Sequence, residues 1–274
     1  MIDSHQHFWR YDPVGYGWIG GEMSVLKRDF LPPHLWDIYQ QHDIEACVAV
    51  QARQSEAETD FLLALAAENG FIKGVVGWLD LRAENLADRL QHYAQFAKLK
   101  GIRHIVQDEP DDDFMLGEAF QKGLDQLHAF GLTYDLLVFP HQLKAAIQTV
   151  RNFPNQSFVL DHIAKPYIGK KLIRHWEKDM RELASLPNVC CKVSGMVTEA
   201  NWQNWQYEDF VPYLDVVFEA FGTDRIMFGS DWPVCTLAGD YGAVKGIVDR
   251  YLEDSSPAEK KLVFHTNAER FYGL

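Results

Sequence analysis

Cysteine is scarce and unpatterned. The chain holds four, Cys47, Cys190, Cys191 and Cys235, with no C-x-x-C spacing and with three of them inside strand-like apolar runs. That argues against a disulfide framework or a thiolate metal module and for buried thiols in a reducing compartment. Cys235 follows the Asp231 segment, but no adjoining histidine or basic residue acts to lower its pKa, which favours packing. Basic residues are in deficit as well: 26 Lys and Arg face 39 Asp and Glu, a formal net charge of -13. Without clustered Lys and Arg, neither duplex nucleic acid nor an anionic membrane surface is an expected partner. No apolar run is long enough to span a bilayer, and the chain starts on polar, histidine-bearing residues where a secretory signal needs a basic and then an apolar stretch. A soluble cytoplasmic protein is expected. No repeat, linker or low-complexity tract divides the chain, so residues 1–274 are read as a single domain.

What is present is a large apolar complement, 47% of 274 residues, arranged as an alternation of short strand-like and longer helix-like segments. The spacing predicts strands near 46–51, 73–78, 101–106, 132–138, 157–162, 189–194 and 225–231, after a first strand ending at the two histidines of Asp3-Ser4-His5-Gln6-His7. Helices are predicted from Pro32 to about His42, after the capping box of Ser55 and Glu58, and over 84–99, 116–130, 140–151, 171–186 and 208–221, with closing helices near 241–252 and 257–271. Eight strand-helix units in this length predict an α/β fold of the closed (β/α)8 TIM barrel kind. An open doubly wound sheet is the alternative; it usually carries a glycine-rich phosphate turn after its first strand, and residues 4–8 contain no glycine. Residues 8–31, rich in aromatics and glycine, form too long a connection to be idle and are expected over the mouth of a site.

In a strand, residues two apart share a face, so His5 and His7 project together. Barrel closure makes the last strand a neighbour of the first, and sites of such barrels form at the C-terminal strand ends. Asp231 therefore meets His5 and His7, and His162, ending strand 6, faces the same mouth. Three imidazoles and a carboxylate at strand ends suit catalysis or a metal ion.

The segments carrying this set also carry a family resemblance. Residues 3–9 (DSHQHFW), 101–110 (GIRHIVQDEP), 160–166 (LDHIAKP), 191–195 (CKVSG) and 227–235 (MFGSDWPVC) resemble the amidohydrolase superfamily, in its branch of metal-dependent TIM-barrel hydrolases that includes sugar lactonases. The likeness extends from Ile2 to the closing residues 267–272 (NAERFY). It implies a hydrolase that opens a sugar-derived aldonolactone, of the fucono- or rhamnono-lactone type, with a small-molecule lactone as its partner. It implies metal-ligand roles for His5, His7, His162 and Asp231, and catalytic roles for Asp231 and His162. Binuclear members carry a bridging Lys or Glu after strand 4 and a histidine after strand 5; here Arg103-His104 and Asp135-Leu136-Leu137 stand there, so at most one divalent ion, zinc by its ligand set, is expected. Lactonases of this branch resemble one another in working without an obligatory metal.

Lactone hydrolysis needs an activated water, stabilisation of the oxyanion and a proton for the departing ring oxygen. Asp231 is assigned the water proton, and the imidazoles, directly or through an ion, the carbonyl. Substrate contacts are expected from Arg103 or His104, of opposite pleat parity, with Arg103 favoured by the resemblance. Lys192 is a further candidate, with an ion pair as its competing role, and Trp78 a candidate among indoles suited to a sugar ring. Asp161 is expected to point away from His162 and to orient a neighbour. A metal-dependent decarboxylase or C-N hydrolase, and a binding protein on a degenerate barrel, are the competing functions.

Overall fold

Runs such as Ala46–Val50 are buried at every position, which is what a parallel strand covered on one side by helices and on the other by a filled barrel requires. In the computed structural model, which describes residues 1–274, eight such strands form one parallel sheet in sequence order. They are β1 (Ile2–Gln6), β2 (Ala46–Val50), β3 (Ile72–Gly77), β4 (Leu99–His104), β5 (Thr133–Leu136), β6 (Phe158–Leu160), β7 (Val189–Val193) and β8 (Ile226–Phe228). The helices are α1 (Pro32–Gln41), α2 (Glu56–Glu68), α3 (Leu86–Tyr93), α4 (Glu118–Leu127), α5 (Leu143–Asn152), α6 (Arg174–Ala184), α7 (Tyr207–Phe221), α8 (Tyr241–Tyr251), α9 (Pro257–Lys261) and α10 (Asn267–Tyr272). The chain is a (β/α)8 barrel. Several strands end earlier than their apolar runs suggest. β6 stops at Leu160 and β8 at Phe228, because the backbone beyond each leaves the extended region to form the site.

The seam between first and last strands is closed by backbone and side-chain bonds. Asp231 N donates to His5 O at 2.8 Å and His7 N to Trp232 O at 2.7 Å. Below them the buried Asp3 carboxylate accepts five hydrogen bonds. Oδ1 takes Ser230 N (2.9 Å) and His5 N (3.2 Å), and Oδ2 takes Ser230 Oγ (2.6 Å), Tyr39 OH (3.0 Å) and Tyr241 OH (3.2 Å). Strict alternation places Asp3 and His5 on one face. A register shift in β1 between Asp3 and Gln6 lets Asp3 turn to α1 and α8 while His5 turns into the barrel, the re-aiming that bulges provide.

The barrel floor is apolar, with Ile2, Val48, Val76, Val159 and Met227 packed against Ala268 and Tyr272 of α10. The larger core lies between sheet and helices. Helix α4 approaches the loop after β3 so closely that a Cβ on Gly123 falls 1.8 Å from the Leu81 carbonyl oxygen. Because that obstacle is backbone, Gly123→Ala is expected to cost about 1–3 kcal/mol; a thermal midpoint equal to wild type contradicts this packing.

Candidate active site

His5 sits inside the barrel with its two ring nitrogens assigned by their surroundings. Its Nδ1 donates to Asp161 Oδ1 at 3.2 Å, which leaves Nε2 unprotonated and facing His7 Nε2 at 3.3 Å. His7 Nδ1 donates to Val50 O at 2.7 Å, and its Nε2 lies 3.2 Å from Asp231 Oδ1. The same oxygen is 3.9 Å from His5 Nε2 and 3.9 Å from His162 Nε2. His162 Nδ1 lies 2.9 Å from Ser194 Oγ.

His162 arrives by an unusual backbone path. His162, Ile163, Ala164 and Lys165 all have positive φ, between 47° and 59°, a left-handed turn of four residues without a glycine. At roughly 1–2 kcal/mol for each residue, the turn must be held by its surroundings. Lys165 N donates to His162 O at 2.8 Å and Trp176 Nε1 of α6 to Ile163 O at 2.7 Å. Gly195 leaves room for the ring, since a Cβ there falls 2.5 Å from His162 Nδ1. The turn swings His162 inward although it follows Asp161, which is itself inward. Above the cluster lies a cavity of about 290 Å³. His7, His162, Asp231 and Arg103 line it, together with Trp18 and Met23 of the long first loop and Lys165, Glu199 and Trp202 from the segments after β6 and β7.

Residues 2–274 match the family described as Amidohydrolase. The chain belongs to that family. It is 42% identical over 284 aligned residues to L-fucono-1,5-lactonase of Burkholderia multivorans, spanning 100% of this chain and 96% of that protein. It is 36% identical over 283 residues to L-fucono-1,5-lactonase of Burkholderia ambifaria, spanning 100% and 95%. A crystal structure of an amidohydrolase from Burkholderia multivorans with bound zinc superposes with a TM-score of 0.97 at 43% identity, covering 100% of this chain and 99% of that one.

The donor set of this amidohydrolase fits a cation. His5, His162 and Asp231 offer ligand atoms that all lie within 4.8 Å of one another, and His7 adjoins two of them. The Nε2 atoms of His5 and His7 and the Asp231 carboxylate converge, with Arg103 Nη1 3.3 Å from His5 Nε2, and nitrogen and carboxylate donors in this number are the set a catalytic zinc takes. Beneath, Arg103 Nη1 pairs with Asp161 Oδ2 at 2.9 Å, and Lys192 Nζ with Asp135 Oδ2 at 2.5 Å and Asp161 Oδ1 at 3.0 Å. Two carboxylates and two cations thus cancel under His5. Burial raises the Asp161 carboxyl, but Lys192, His5 and Arg103 outweigh it and hold the group well below its usual range. Burial likewise opposes ionisation of Asp231, and His162 and His7 overcome it, leaving its pKa low.

Of the expected substrate contacts, Arg103 reaches the cavity and three others do not. His104 turns outward, donating to Glu109 Oε1 at 2.6 Å and stacking on Phe114 at 4.8 Å. Its pleat parity, opposite to Arg103, leaves it no inward route. Trp78 follows it outward, its Nε1 donating to His104 Nδ1 at 3.3 Å. Lys192 does point inward but lies too deep, fully buried on Asp135 and Asp161. Asp161 orients His5, as a neighbour-orienting residue should, yet shares the interior with His162 because of the left-handed turn. Lys165 and Glu199 were not singled out in sequence. The one signal was Lys165 three residues beyond His162, and it means nothing until the turn is known.

Burial pushes both His5 and His162 well below the usual histidine value of 6.5. The unfolded chain therefore binds more protons than the folded one as pH falls through about 6.5, and stability drops with it. Each histidine adds a slope of up to about 1.4 kcal/mol per pH unit below that point. Urea midpoints measured from pH 7.5 to 5.5 are expected to fall steadily; a flat profile shows that folding leaves the proton affinity of both histidines unchanged.

Proposed function

We propose that this amidohydrolase is a lactonase that opens a sugar-derived aldonolactone, a 1,5-lactone of the fucono type foremost, to the aldonic acid. The observation carrying this reading is the full-length 42% identity to a fucono-1,5-lactonase in a chain whose ionised carboxylate and three imidazoles meet at the base of a sugar-sized cavity. At about 290 Å³ that cavity is at the small end of ligand pockets, which suits one ring rather than an oligosaccharide.

Asp231 Oδ1, kept ionised, takes a proton from a water as the water oxygen attacks the lactone carbonyl carbon. Collapse of the tetrahedral species breaks the bond from that carbon to the ring oxygen, and the Asp231 proton goes to the departing oxygen to form the open hydroxy acid. His7 and His162, fixed by Val50 O and Ser194 Oγ, hold Asp231 on its near side. Arg103, tied to Asp161, sets a fixed positive charge at the base where the oxyanion develops. His5, His7, His162 and Asp231 are the residues that would hold a divalent ion, zinc by their chemistry, which when bound supplies Lewis-acid polarisation of the carbonyl.

A pH-indicator assay over a panel of 1,4- and 1,5-aldonolactones tests the reading. Acid release is expected with 1,5-lactones of six-carbon sugars, and no release from any member refutes it.

A further inference from the structure

The cavity holds a charged pair with no part in the chemistry just described. Lys165 comes from the end of the left-handed turn, where the i to i+3 spacing brings it to the same side as His162. Glu199 comes from the short turn after β7, Val197–Glu199. Their side chains are only 18% and 17% exposed, and Lys165 Nζ lies 3.9 Å from Glu199 Oε1. That is beyond hydrogen-bond length. Neither head group has another hydrogen-bond partner in the chain; the Lys165 ammonium otherwise lies only over the Phe139 ring, 5.7 Å from its centroid. Charges this buried are ordinarily engaged by hydrogen bonds. Here both line the cavity that Asp231 lines, so their unsatisfied capacity is directed at whatever enters it. Burial pushes the Glu199 carboxyl up even with Lys165 nearby, as expected of a charge whose solvation is incomplete.

A hydroxyl group is what such a pair fits. It donates to the carboxylate and accepts from the ammonium at once, and an oxygen about 2.8 Å from each bridges the 3.9 Å between them. A ring bearing no hydroxyl leaves both charges dehydrated and unpaired, which is the basis of strong discrimination by polar sites. We propose that Lys165 and Glu199 are a hydroxyl-reading pair that selects polyhydroxylated lactones over unsubstituted ones. The inference rests on the lactonase reading for its substrate, and on the geometry of the pair for its residues.

The test uses Glu199→Gln and Lys165→Met, with Glu199→Asp and Lys165→Arg as charge-keeping variants that serve if the first two fail to fold. The readout is the ratio of kcat/KM for a six-carbon 1,5-aldonolactone to that for δ-valerolactone, a lactone ring without hydroxyls. That ratio is expected to fall about 30-fold or more in each of the first two variants and less in the charge-keeping pair. A ratio within about threefold of wild type in both overturns the proposal, because loss shared equally by the two lactones is what a structural role produces. Calorimetric binding of six-carbon aldonates, which needs no turnover, is the second measurement. Binding is expected to weaken at least about tenfold in Glu199→Gln and Lys165→Met; binding equal to wild type, or none by wild type, also overturns the proposal. Wild type that opens no lactone refutes the lactonase reading and leaves calorimetry to decide the pair. Wild type that opens lactones, with variants of unaltered ratio, refutes the pair alone.

Discussion

Asp231→Asn is expected to lower kcat by about 10³-fold while changing KM by less than about threefold. The amide keeps the size of the carboxylate and can turn either its oxygen or its NH2 toward His7 Nε2, now 3.2 Å away, so the shape of the cavity base survives. What disappears is the basic oxygen that takes the water proton. Ground-state contacts with the sugar ring come from other walls of the cavity, which is why the loss falls on turnover. Steady-state kinetics in a pH-indicator assay, with a melting curve to show that the variant folds, checks this. A loss falling mainly on KM places Asp231 in substrate binding and leaves the water without a base.

Lys192→Met is expected to cost about 3–5 kcal/mol of stability, the range for breaking a buried ion pair by removing one partner. Lys192 has no exposed surface and bridges Asp135 and Asp161 at 2.5 and 3.0 Å. Without it, Asp161 keeps Arg103 as its cation and the dehydrated Asp135 is left with none. Tyr272 OH donates to Asp135 Oδ2 at 2.7 Å and softens the loss without supplying charge. Burial has already pushed the Asp135 carboxyl up to about 6, and removing the cation raises it further. The penalty should therefore be largest near pH 8 and shrink as pH falls toward 6 and Asp135 takes up a proton. Adding Asp135→Asn to Lys192→Met is expected to restore much of the stability, since it removes the stranded charge. Urea denaturation of the three variants measures it; a double variant no more stable than Lys192→Met alone shows that the ammonium acts through something other than Asp135.

The barrel was legible because its signal is repeated. Each strand is a short apolar run followed by a helix, and counting eight of them sets the topology that makes β1 and β8 neighbours. From that alone the meeting of His5, His7 and Asp231 follows. Side-chain direction was less legible, because it depends on local departures from regular geometry. The bulge in β1 that sends Asp3 outward and His5 inward has no marker in residues 2–6. The left-handed turn at residues 162–165 lacks the glycine that usually announces one, so the facing of Lys165 was hidden, and the inward course of Asp161 beside His162 with it. Depth along a strand was hidden as well: Lys192 was open to substrate contact or an ion pair, and its partners Asp135 and Asp161 become visible only when three strands are laid side by side. For His104 and Trp78 the polar and aromatic character that suggested sugar contact serves instead a hydrogen-bonded stack under α4.

The seam has a consequence for how the protein is made. His7 and Asp231 are 224 residues apart, and at about 5–20 residues per second of synthesis the histidines leave the ribosome on the order of 10–45 s before the carboxylate does. Throughout that interval β1 has a partner on one side only, and its other edge offers free amides and carbonyls to any strand that passes. The nascent chain is therefore most exposed to mispairing at its oldest segment, and shielding of that edge by a chaperone is expected to improve yield more than any aid given to the helices that follow.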